Sequence, residues 1–291
     1  MLIDQQGKTW YKVGLHIHTT LSDGKLAPQQ VIDRYRAGGY DAIALTDHWH
    51  YSHGGHSDGM LILSGCEYNL GSNAGNDVMH IVGFGMAQQP DLVQENSRQQ
   101  IVDGINACGG IAVLAHPAWS MNTLEDAKTL ENIAFTEVYN AVSQSHQSIR
   151  PNSEYFVELC ANAGIPVGLL ATDDAHYYDG SDDQKGWVMI RAEALTQEGI
   201  LAALRAGNYY ATQGPELYVR QEGNRFIVDC SPCTYIAAMS NLTWAAGRVL
   251  RGENVTHFEY EPLEQERWIR IQACDSAGKL AWSQVYQVQD R

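Results

Sequence analysis

The chain has 291 residues, 44% of them hydrophobic, and a formal net charge of −15. That length accommodates one large domain and a smaller one. The acidic balance, with no Lys/Arg-rich stripe, argues against a duplex nucleic acid partner, and no run of about 18 apolar residues offers a transmembrane helix.

In chain order, a first strand is expected over residues 13–17, running into Gly14-Leu15-His16-Ile17-His18. Residues two apart on a strand share a face, so His16 and His18 point the same way. Ser22-Asp23-Gly24 follows. An amphipathic helix is expected from Ala27 to Gly38, with Val31, Ile32 and Tyr35 at helical spacing. The next strand, Ala42 to His48, is apolar until Thr46-Asp47-His48. Asp47 is a candidate to orient a neighbouring ligand.

The loop His50 to His56 reads as a Gly-hinged, solvated lid, whose His50 and His53 are also candidates to touch substrate. Ile62 to Glu67 is a strand with a carboxylate last. Val78 to Gly83 carries His80 inside an apolar run.

A helix is expected over Asp91 to Cys108, then a strand from Ile111 ending in His116-Pro117. Asn140 and Arg150 flank the following connection. Arg150 is either a phosphate clamp, since guanidinium donors match phosphate oxygens, or a surface arginine before Pro151. A helix over Asn152 to Gly164 precedes a strand from Val167 that ends in Asp174-Ala175-His176. Thr196 to Ala206 is the last helix of this part, with Thr196 as N-cap. Strand–helix alternation of this kind implies parallel strands.

From Glu216 the pattern changes to short alternating runs between turn signals, such as Leu217-Tyr218-Val219 and Trp268-Ile269-Arg270-Ile271. These suggest a small antiparallel β-sandwich-like domain. The expected division is 1–214 and 215–291. Cys230-Ser231-Pro232-Cys233 stands without a second Cys pair, so the cysteines read as buried or turn residues rather than a zinc or redox motif. The start, Met1 to Lys8, has no apolar signal-peptide segment, and cytoplasmic location is expected.

The strand ends carry the chemistry. Six histidines and three carboxylates recur there: His16, His18, Asp23, His48, Glu67, His80, His116, Asp174 and His176. Singly, His80 reads as a hydrogen-bonded core residue, His116 as a turn cap and Asp174 as a helix N-cap. Jointly they would need an unrelated reason at each strand end. Convergence on one polynuclear metal site explains all of them.

The series His16-x-His18 with Ser22-Asp23-Gly24, Thr46-Asp47-His48, Gly65-x-Glu67, His116-Pro117 and Asp174-Ala175-His176 resembles the PHP (polymerase and histidinol phosphatase) superfamily over roughly the first 215 residues. The resemblance implies an α/β fold, a distorted seven-stranded (β/α) barrel with metals at the C-terminal strand ends, and phosphoester hydrolysis. It further implies a first metal position at His16, His18, Glu67 and Asp174. Glu67 would bridge to a second position, completed by His80 and His116. Asp23, His48 and His176 would hold a third. Some relatives carry His where Asp23 stands, so a two-metal enzyme is one alternative.

Two or three divalent ions, zinc, manganese or iron, suit this mixed N/O donor set. They would lower the pKa of a shared water toward about 7 for in-line attack on phosphorus. Glu67, Asp174 and His176 are the candidate catalytic residues. The expected function is a metal-dependent phosphoesterase on a small phosphorylated substrate, with nucleotides foremost. Alternatives are a histidinol-phosphate phosphatase, a hydrolase of non-phosphate bonds and a non-catalytic binding module.

Overall fold

The structure is a computed structural model that describes residues 2–4 and 7–288. Helices form where apolar side chains recur at helical spacing behind a start signal. Pro28–Ala37 opens on proline and buries Val31, Ile32 and Tyr35. Arg98–Ala107 starts later than the sequence pattern suggests, because Ser97 caps it by accepting from the Gln100 backbone while the Gln100 side chain reaches back. Glu154–Asn162 buries Phe156, Val157 and Cys160. Gln197–Arg205 begins at Thr196, whose side chain accepts from Gly199 N. No described helix is long and apolar enough to cross a membrane.

The strands form two sheets instead of one closed barrel. One has five strands, in the order Gly168–Thr172, Phe135–Asn140, Ile111–Leu114, Met79–Phe84 and Gly65–Leu70. The other has 12 strands and includes Thr9–Gly14, Ala42–Ala44 and Met60–Leu63 as parallel neighbours. The expected single strand over Ile62–Glu67 breaks at Ser64, whose hydroxyl donates to Met86 O at 2.7 Å, and its halves enter different sheets. Isolated bridges, Ile17–Ala175, His48–Glu67 and Ser52–Gly65, link the two sheets. Their inner faces share one core, including Val13, Leu15, Leu63, Val82, Phe84, Val113, Leu170 and Val188.

Strand direction departs from the all-parallel expectation at several places: Gly55–Ser57 pairs antiparallel with Met60–Leu63, and Trp187–Arg191 pairs antiparallel with both Thr9–Gly14 and Tyr209–Thr212. Met79–Phe84 runs antiparallel to both of its neighbours. It follows Gly65–Leu70 after the connection 71–78, and an adjacent antiparallel strand needs no crossover helix.

The C-terminal strands extend the larger sheet. Leu280–Gln287 pairs with Tyr209–Thr212, and Trp268–Cys274 pairs with Leu280–Gln287. Arg225–Ser240 is 16 residues long. Its first half pairs with Leu217–Glu222 and its second with Trp268–Cys274, the register shifting at Cys233. Cys230-Ser231-Pro232-Cys233 therefore occupies a bulge where the strand changes partner, and proline is tolerated there because no ladder bond is needed. All six cysteines are unpaired. Helix Glu154–Asn162 is held by the C-terminal strands. Trp268 Nε1 donates to Asn162 at 3.1 Å, Trp282 Nε1 to Glu154 at 2.9 Å, and buried Arg270 to Glu158 at 2.7 Å.

Candidate metal centre

The nine strand-end residues meet at one rim. They form three groups, His16/His18/Glu67/Asp174, Glu67/His80/His116 and His18/Asp23/His48/His176, and within each the ligand atoms lie within 4.8 Å of one another. The reversed strand explains His80. It is the second residue of Met79–Phe84, and because that strand runs the other way, its start lies at the rim where the other strands end.

Four of the six imidazoles, those of His16, His18, His116 and His176, are oriented by one nitrogen and present the other. His16 Nδ1 bonds to Glu137 Oε1 at 2.6 Å, leaving Nε2 3.3 Å from Glu67 and 3.2 Å from Asp174. His18 Nδ1 meets Ser22 Oγ at 3.2 Å, and Ser22 Oγ donates to Asp47 at 2.7 Å. His18 Nε2 then lies 3.1 Å from both Glu67 and Asp174. His116 Nδ1 meets Ser120 Oγ at 3.1 Å, and its Nε2 faces Glu67 at 3.3 Å. His176 Nδ1 donates to the Asp174 carbonyl at 2.6 Å, and its Nε2 lies 3.3 Å from Asp23. A ligand histidine with its second nitrogen fixed by a hydrogen bond has its tautomer and ring plane set in advance.

The backbone is bent to reach this arrangement. His116 and Asp174 both have positive φ, 30° and 52°. Non-glycine residues take that region at a cost of about 1–3 kcal/mol, and such residues concentrate at functional sites. Gly24 closes the Ser22-Asp23-Gly24 loop beneath His18, and a Cβ there would come within 2.6 Å of His18 O.

Burial sharpens the electrostatics. Burial alone would raise the Glu67 carboxyl, but His16, His80 and His116 reverse this and hold it well below the usual carboxylate range. Asp174 is likewise held low against burial, by His16 and His18. Burial disfavours the charged His176 ring, but Asp23 and Asp174 outweigh it and push the imidazole up to about 9. The carboxylates and imidazoles of the centre are thus coupled in one buried cluster.

The donors fit metal ions. Asp174 Oδ1 and His48 Nδ1 are buried with no hydrogen-bond partner. Both have close neighbours, Asp174 Oδ1 with His16 Nε2 at 3.2 Å and His48 Nδ1 with Glu67 Oε2 at 3.0 Å, yet the alignment is wrong for hydrogen bonding. Lone pairs that converge on a common point, and not on each other, suit a shared cation.

The other sequence candidates are distributed differently. Asn140 is buried, and its amide donates to Glu137 at 2.8 Å and Asp174 at 3.1 Å, so it braces the carboxylates. Asp47 accepts from Thr19 N, Thr19 Oγ1 and Ser22, so it organises the loop beneath His18. His50 and His53 are exposed and belong to none of the three groups; His53 packs edge-on to Tyr51. The lid around them is partly ordered by Gly55–Ser57, which pairs with Met60–Leu63. Arg150 is exposed and lines a cavity of about 370 Å³ with Trp119 and Ser120.

Sequence reasoning missed Glu137 and Trp119. Glu137 is buried and also accepts from His116 N at 2.8 Å, so it ties His16 and His116 together. The signal was a lone acid inside the apolar run Phe135-Thr136-Glu137-Val138-Tyr139, which forms a strand. Trp119 stands edge-on to His116, with centroids 4.8 Å apart.

No family model matches the chain, and no curated protein matches it in sequence. Solved structures match it in fold. A two-domain protein from Bacteroides vulgatus ATCC 8482, described as containing a predicted PHP-like metal-dependent phosphoesterase, is similar at TM-score 0.59 and 15% identity, covering 99% of this chain and 97% of that one. Endonuclease Q, solved with a 27-mer duplex substrate carrying an abasic lesion, is similar at TM-score 0.51 and 14% identity. That match covers 69% of this chain and 58% of the endonuclease. The fold is thus the PHP-type α/β fold, and the match to the two-domain protein runs over nearly the whole chain.

Proposed function

We propose that the protein is a metal-dependent phosphoric ester hydrolase acting on a small phosphorylated substrate, with a nucleotide as first candidate. The carrying observation is the merger of three ligand groups, in which Glu67 belongs to two. Two or three divalent ions of the zinc, manganese or iron kind would supply Lewis acidity and a water of lowered pKa.

The chain's own residues account for the remainder. His16, His18, Glu67 and Asp174 would hold one ion, and Glu67, His80 and His116 a second. In a three-ion enzyme Asp23, His48 and His176 hold the third. In a two-ion enzyme His176 Nε2 holds a proton for the leaving oxygen. Arg150, exposed on the same cavity as Trp119, would bind phosphate oxygens while Trp119 borders the substrate. Residues 1–214 are the catalytic unit in this reading, and 215–291 stabilise it. The net charge of −15 favours a small substrate over a duplex.

The test is a screen of metal-reconstituted protein against nucleoside monophosphates, histidinol phosphate, diester nucleotides and lactones. Metal-dependent phosphate release from a nucleoside monophosphate, absent in Glu67→Gln, is expected. Hydrolysis confined to lactones would overturn the reading.

A further inference from the structure

A second cavity, of about 560 Å³, lies where the first strand of the larger sheet meets the C-terminal strands. Its walls carry the rings of Trp10, Tyr210, Tyr218 and Tyr286 and the guanidinium of Arg191. Small-molecule sites have this size, and they combine aromatic rings with a few placed polar groups. Trp10 and Arg191 are direct partners in the antiparallel pair of Thr9–Gly14 and Trp187–Arg191. They mark the start of Thr9–Gly14, whereas His16 follows its other end. The cavity and the metal centre thus belong to opposite ends of the strand.

The cavity's charges are unevenly matched. Arg220 pairs with Asp229, and Asp229 also meets His257 at 2.7 Å. Asp4 accepts from Trp10 Nε1 at 2.8 Å. The Tyr218 hydroxyl donates to Glu216 at 3.1 Å, so this ring offers the cavity its carbon surface. Arg191 differs. It donates to the Asn208 side chain and lies 5.8 Å over the Trp10 ring, with no carboxylate partner among the described residues. The cavity's acids, Asp4 and Asp229, are engaged by Trp10 and by Arg220 and His257, so Arg191 is the cation left to meet a ligand. A ligand bringing both a ring and a negative charge would satisfy it.

We propose that this cavity is a binding site, separate from the metal centre, for a planar aromatic compound that carries one anionic group. The ring packs against Trp10 and Tyr218, and the anion bonds to Arg191. The site does not depend on the hydrolase reading, and occupancy is measured without turnover.

The test is a fluorescence titration of the full chain with anilinonaphthalene sulfonate, which joins aromatic rings to a fixed anion. Its uncharged analogue, phenylnaphthylamine, is the comparison. Saturable binding of the sulfonate is expected, about tenfold tighter than the amine. Arg191→Gln weakens the sulfonate about tenfold and leaves the amine unchanged. Tyr218→Ala weakens both. Trp244→Ala, which removes a tryptophan 75% exposed on a different surface, changes neither. Absence of saturable sulfonate binding below millimolar concentration overturns the proposal. So do equal affinities for the two probes, undiminished binding in Arg191→Gln, and loss of binding in Trp244→Ala. If Arg191→Gln does not fold, the two probes compared on the unaltered chain decide.

Discussion

Glu137 Oε1 accepts the Nδ1 proton of His16 across 2.6 Å, and that one bond commits His16 Nε2 to the space shared with Glu67 and Asp174. Glu137 also holds the His116 backbone and the Asn140 amide. Glu137→Gln removes the charge and sets an NH2 group against one of three donors. Metal affinity is expected to fall about 10–100-fold, the usual effect of losing such a partner. Metal titration of the purified variant measures this, and an unchanged affinity would show that His16 needs no anchor.

Glu67 belongs to two of the ligand groups, so Glu67→Gln should cost more than one bound ion and abolish hydrolysis. Asp23 belongs to one group, and its side chain is 56% exposed. Asp23→Ala should therefore be milder than His16→Ala. Elemental analysis should find two or three divalent ions in the unaltered protein, and at most one ion lost in Asp23→Ala. Equal losses in the two alanine variants would make the third group as important as the first.

The His176 imidazole gives a pH dependence. Burial lowers it, but the hydrogen bond and charge of Asp23 and the charge of Asp174 raise it overall from 6.5 to about 9. A folded value above the unfolded one means that metal-free protein gains stability that is complete below pH 6.5 and is lost as pH rises through about 9. An ion bound at this ring must displace its proton, so the stabilisation by added metal should grow over the same interval. Thermal denaturation with and without metal checks both signs. A metal-free melting temperature that rises between those pH values would contradict the assignment.

Arg270 is fully buried in the C-terminal strands and pairs with Glu158 of helix Glu154–Asn162. Glu158→Ala leaves a buried guanidinium without its carboxylate and should destabilise the fold by about 3 kcal/mol. Adding Arg270→Met should recover most of that loss. Urea denaturation of the three proteins is the measurement. No loss in Glu158→Ala would mean that the C-terminal strands do not grip the helix.

The histidines and carboxylates that the structure gathers into three groups were legible in the sequence because metal chemistry restricts the side chains and a strand's two-residue period fixes which of them share a face. His16 with His18, and Asp174 before His176, are examples. The helices Pro28–Ala37 and Gln197–Arg205 were legible for a related reason, since caps and helical spacing are local. Strand direction and strand order are not local. Only the tertiary structure reverses Met79–Phe84, so that His80 reaches the rim from inside its apolar run. Only the neighbours of Phe135–Asn140 turn Glu137 from an odd acid in an apolar segment into the anchor of His16 and His116. The same holds for the C-terminal strands, whose turns and alternation were visible but whose attachment along Tyr209–Thr212 was not. Side-chain chemistry is written residue by residue, whereas a neighbour contributed by a distant strand exists only once backbone pairing has chosen that strand.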